Sequence, residues 1–129
     1  MIDNSALFLL PSADGGAFIQ ELDARGFDFV AGFWLYQSEF DDWRLIIATP
    51  LVETGDARPA YRQLQQIIAA TEPPLDLSLS NVTAVSPKNE IVRALRKVYH
   101  VTKGQKPVRV RRSIHDGVVV EDALIYRMV

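Results

Sequence analysis

The hydrophobic patterns along the chain predict an α+β fold: one sheet of roughly five mostly antiparallel strands with about three helices, in the order helix, hairpin, helix, strand, helix, hairpin. Three observations lead there. Two runs rich in aromatic and β-branched residues, Phe29 to Ser38 and Trp43 to Thr49, are separated only by Glu39-Phe40-Asp41-Asp42. A second pair, Val108 to His115 and Val118 to Met128, flanks Asp116-Gly117, a dipeptide suited to the left-handed backbone of a two-residue hairpin turn. The intervening stretches carry apolar residues at helical spacing between capping and breaking residues. With 129 residues, 48 % apolar and 23 % charged, the chain suits a single α+β domain over residues 1–129, and its composition is neither that of a disordered nor of a coiled-coil chain.

Taken in order, the run Leu7 to Leu10 is too short to distinguish a strand from a helical turn. Asp14-Gly15-Gly16 opens a helix with Phe18, Leu22 and Ala24 on one face, and Gly26 is its expected C-terminal glycine. In the first hairpin a loop at residues 39–42 sets Tyr36 opposite Leu45, Trp34 opposite Ile47, Leu35 opposite Ile46 and Phe33 opposite Ala48. Both faces of this hairpin are apolar, so it must be covered twice, by helices on both sides or by a second subunit. Asp56 is placed to cap a helix from Ala57 to Ala70 with the stripe Tyr61, Leu64, Ile67 and Ile68, stopped by Glu72-Pro73-Pro74. Leu75 to Val85 reads as a strand whose alternation shifts at Asn81, through a bulge or a late start. Within it, Asn81-Val82-Thr83 reads as ordinary strand sequence rather than a glycosylation site. Ser86-Pro87 suits a helix opening, with Ile91, Val92, Leu95, Val98 and Tyr99 as a core face up to about Val101.

The segment Phe33-Trp34-Leu35-Tyr36-Gln37-Ser38 through Asp42-Trp43-Arg44-Leu45-Ile46-Ile47-Ala48-Thr49-Pro50-Leu51-Val52 resembles a run found in small uncharacterised bacterial proteins of unknown function. The resemblance spans about residues 33–52. It implies no activity and assigns no residue a role.

Composition narrows the chemistry. Cysteine is absent, which excludes disulfides, thiolate metal sites and a cysteine nucleophile and fits a reducing compartment. No run approaches the roughly 20 apolar residues of a membrane span, and no basic segment precedes the first apolar run, so a cytoplasmic protein without membrane contact is expected. No phosphate-binding loop, dinucleotide fingerprint or nucleophile elbow occurs, so no cofactor is expected and catalysis is not favoured. His100 and His115 lack a third metal ligand within sequence reach, and Glu39, Asp41 and Asp42 read as a solvated turn.

Charge is unevenly distributed. Residues 1–75 hold 4 Lys+Arg against 11 Asp+Glu and residues 76–129 hold 10 against 5, giving −7 and +5. The stretch 88–112 is where a nucleic-acid or acidic-partner surface would lie, on Arg93, Arg96, Lys97, Lys103, Lys106 and Arg109. The hairpin register also places Arg111 opposite Asp122 and Arg112 opposite Glu121, so part of this charge is expected to be paired internally. A pI of 5.6 weighs against a dedicated nucleic-acid binder. The expected role is therefore a non-enzymatic subunit that binds a protein partner or its own copy. Trp34, Tyr36, Trp43 and Leu45 form the expected self-association patch of a homo-oligomer, and a nucleic-acid-binding or nuclease-like accessory role is the alternative.

Overall fold

Two apolar layers, one on each face of a five-stranded sheet, organise the described residues. The computed structural model describes residues 14–52 and 55–129, and the run Leu7 to Leu10 lies outside them. The helices are α1 (Asp14–Ala24), α2 (Arg58–Ala70) and α3 (Glu90–Arg96). The strands are β1 (Ala31–Gln37), β2 (Asp42–Ala48), β3 (Val82–Val85), β4 (Val108–His115) and β5 (Val118–Met128). They lie in the order β3-β2-β1-β5-β4, antiparallel except for the parallel pair β2–β3. That exception follows from α2, whose crossover brings the chain back to β2 in the same direction.

The first hairpin pairs as Tyr36↔Trp43, Trp34↔Leu45, Leu35↔Arg44 and Phe33↔Ile46, two residues away from the expected register. The cause is the loop, which spans 38–41 instead of 39–42. Asp41 takes the left-handed conformation (φ 48°), and Tyr36 donates its hydroxyl proton to Asp41 Oδ1 at 2.7 Å. An even shift leaves every side chain on its expected face. Trp34, Trp43, Leu45 and Ile47 therefore pack beneath Phe18 and Leu22 of α1 and Leu64 and Ile67 of α2. Phe33, Leu35, Ile46 and Ala48 pack on the other side with Val92 and Leu95 of α3.

This double cover is completed within one chain, which corrects the expected self-association patch. Trp34 and Leu45 are fully buried and Trp43 is 6 % exposed, while Tyr36 is half-buried. None of the four offers the open aromatic surface that the association argument required, because α1 and α2 both settle on the face they occupy.

Three boundaries also differ from expectation. The strand read from Leu75 begins only at Val82, preceded by a 3-10 turn over Leu79–Asn81. Asn81 Oδ1 accepts from the Ser78 backbone N–H at 2.9 Å, and Arg44 donates to the carbonyls of Ser80 and Val82 and to Thr83 Oγ1, which fixes that turn against β2. α3 begins at Glu90, not at Pro87, because Asn89 Oδ1 accepts from the N–H groups of Ile91 and Val92, whereas Ser86 Oγ closes a local turn on Lys88. The same helix stops at Arg96, and Val98, expected in the core, is 56 % exposed. Val101 instead forms a bridge to Met128, with backbone hydrogen bonds of 3.0 and 2.9 Å. The helix at residues 58–70 and the turn at Asp116 (φ 51°) and Gly117 (φ 77°) lie where the sequence places them, but the helix N-cap is Ala57 rather than Asp56, whose Oδ1 accepts from the Arg58 N–H at 3.1 Å.

α1 approaches the sheet so closely that a Cβ added at Gly15 would lie 2.3 Å from Trp34 Nε1. A Cβ at Gly32 would meet Ile19 Cδ1 at a similar 2.4 Å, but that atom is the free end of a flexible side chain. Gly15→Ala is therefore expected to cost about 1–3 kcal/mol of unfolding free energy and Gly32→Ala distinctly less. Urea denaturation measures both, and equal costs would mean that Trp34 does not set the helix-to-sheet distance.

Candidate functional site

The basic residues singled out in the sequence do not converge. Arg93, Arg96 and Lys97 belong to α3 and its C-cap, on the Phe33 side of the sheet, and all three are exposed. Arg109 reaches the opposite side, where its guanidinium lies 5.8 Å from the Trp43 ring centre. Lys103 and Lys106 stand exposed in the segment between Val101 and β4. Two members of the set are engaged by acids. Lys97 pairs with Asp116 at the hairpin turn, and Arg109 grips Asp122 through Nε and Nη2, each at 2.5 Å.

The second pairing corrects the expected one. Arg111 does lie opposite Asp122, but the carboxylate is taken by Arg109, one diagonal step along β4. Val120 and Ala123 face the same core although they are three residues apart, so the alternation of β5 slips between them; on β4 the same level holds Arg112 with φ 49°. The slip turns Asp122 inward to 5 % exposure beneath Arg109 and sends Glu121 to the first hairpin, where Oε1 accepts from the Ser38 N–H at 3.0 Å. Arg111 and Arg112 remain exposed on the strand.

This geometry creates a feature that the hydrophobic pattern did not single out. β5 pairs with β1 only as far as Tyr36↔Asp122, whereas β4 and β5 stay paired to His115↔Val118, so the second hairpin overhangs the sheet. On the overhang Ile114 and Val119 lie directly opposite each other and are 70 % and 62 % exposed. Val118 and Val120, on the other side of β5, are buried. The signal available in the sequence was the unbroken Val118-Val119-Val120, where a half-solvated strand would place a polar residue in the middle. β4 is also the last strand of the sheet, with no further strand beside it among the described residues.

Among the described residues no three His, Cys, Asp or Glu side chains are grouped to hold a metal ion, and no helix is long and apolar enough to cross a membrane. No family model matches the chain, and no curated protein or solved structure matches it either.

Two measurements probe the charges. Removing Arg109 leaves Asp122 buried without its counter-ion, so Arg109→Ala is expected to destabilise the fold by about 3 kcal/mol, while Arg111→Ala is expected to be near neutral. Comparable urea midpoints for the two variants would show that Arg109 is not the partner. The Lys97 ammonium, by hydrogen bond and by charge, holds the Asp116 carboxyl below the ordinary aspartate range. A lowered folded-state value means that the contribution is present above the ordinary range and is lost as the pH falls through the lowered value. Lys97→Ala should raise Asp116 toward the ordinary range in a carboxyl-carbon NMR titration, and an unchanged value would deny the pair.

Proposed function

We propose that the chain is a non-enzymatic, cytoplasmic protein-binding module whose partner supplies an extended acidic segment that adds to the free edge of β4. The observation that carries this reading is the overhanging edge itself: eight residues of strand with no further strand beside them among the described residues, reaching the exposed Ile114–Val119 pair, with exposed Arg111 and Arg112 along it. An unpaired edge offers backbone N–H and C=O groups to an added strand, and the side chains at alternate positions select it. Here they select apolar groups at the overhang and carboxylates at the arginines.

Charge supports a separate partner rather than a second copy at this edge. β4 carries Arg109, Arg111, Arg112 and His115 and no acid, so pairing β4 with itself sets arginines against arginines. Nucleic acid is disfavoured because the basic side chains are divided between the two sides of the sheet and Lys97 and Arg109 are already neutralised by acids.

Fluorescence anisotropy with a labelled peptide of alternating glutamate and valine tests the proposal, against a lysine-valine control and a labelled oligonucleotide of mixed sequence. The acidic peptide is expected to bind, to weaken as salt rises, and to be lost in Ile114→Ser and in the double variant Arg111→Glu/Arg112→Glu. Retention of the oligonucleotide but not the peptide at physiological salt would replace this reading with the nucleic-acid one. A concentration-dependent doubling of the mass, abolished by Ile114→Ser, would replace it with self-association.

A further inference from the structure

Away from the hairpin, α1, the segment leading into β4 and the end of β5 enclose a cleft of about 440 Å³, within the range of roughly 300–1,000 Å³ of small-molecule sites. Its wall is apolar. Ile19 and Pro107 line it together with the ring of Tyr126, which packs so near Gly16 that a Cβ there would lie 3.3 Å from Tyr126 Cε1. Burial raises the pKa of the Tyr126 phenol, so the hydroxyl is neutral at physiological pH.

The charges lining the cleft are of two kinds. Arg127 is 9 % exposed and held rigidly: Nη1 and Nη2 donate to Asp23 Oδ1 and Oδ2 at 3.0 and 2.7 Å, and the guanidinium lies 5.1 Å from the Phe29 ring centre. This pair is neutral as a unit. Lys103, by contrast, is exposed at the cleft and has no acidic partner among the described residues. Two amides complete the polar set. Gln105 Oε1 already accepts from the Thr102 N–H at 2.6 Å, which leaves its NH₂ group to donate, and Gln20 lines the same opening.

We propose that this cleft binds a small amphipathic carboxylate, with its apolar body against Tyr126 and Ile19 and its anionic end on Lys103 and the Gln105 amide. The charge balance selects the class: one unneutralised cation favours a monoanion, a ligand cation would meet Lys103 unfavourably, and a purely apolar ligand would desolvate Lys103 without a partner. The site is separate from the β4 edge and does not depend on it.

The probe is anilinonaphthalene sulfonate, an amphipathic monoanion that fluoresces when it leaves water, with phenylbutyrate as competitor and phenylbutylamine as the cationic control. One dye is expected per chain, displaced by phenylbutyrate and not by the amine. Lys103→Glu should weaken binding by about tenfold or more, the scale of one charge-assisted contact. Gln20→Trp, which fills the opening from an exposed helix position, should abolish it, and both variants should keep the parent urea midpoint. No saturable dye binding to the parent chain, binding unaffected by Lys103→Glu, or binding lost only in Ile114→Ser and Val119→Ser would each overturn the proposal. The last result would place the dye on the hairpin.

Discussion

Burial of both faces of β1 is the constraint from which the architecture follows. A strand that carries Phe33 and Leu35 on one side and Trp34 on the other cannot leave either side in water, so it takes the middle of the sheet and requires cover above and below. α1 and α2 share the tryptophan side and α3 takes the other. Gly15 lets α1 descend onto Trp34, so a small residue in the helix and a large one in the strand act as a matched pair. Trp34, Trp43 and Leu45 of the first hairpin are thereby covered within one chain.

Charge reinforces this arrangement at two points where elements distant in sequence meet. Asp23 and Arg127 join α1 to β5 across 104 residues, and both side chains are largely buried. Asp122 and Arg109 join the central part of β5 to the edge strand, with Arg109 spread over Trp43. Buried pairs of this kind add little net stability, because each charge must first be desolvated, but the loss of one partner is costly. Their structural effect is to fix which side of the sheet each strand presents. In the second hairpin, the alternation slip that buries Asp122 is also what exposes Val119 and Ile114 farther along.

The two surfaces proposed for binding therefore arise from the same elements. β5 contributes Tyr126 and Arg127 to the cleft at one end and Val119 to the overhang at the other. β4 begins at Val108, next to the cleft-lining Pro107, and ends at the overhang. A strand longer than its neighbour β1 is what separates the two sites along one sheet.

The sequence by itself determined the fold class, both hairpins, the face of every strand residue in the first of them and the Asp116-Gly117 turn, because period-two alternation and turn chemistry are local. It also determined the need for two-sided cover. Tertiary structure decided the rest. The loop of the first hairpin moved by one residue on each strand once Tyr36 could reach Asp41, a bond that alternation does not encode. α3 lost its last turn because Val101 was drawn to Met128, and β3 was shortened by the 3-10 turn over Leu79–Asn81. Above all, which arginine meets Asp122, and whether any basic side chains converge, depended on a slip in alternation between facing strands. Side-chain direction changes by half a turn at such a slip, and neither strand's sequence announces it, so the open edge and its apolar pair became visible only in three dimensions.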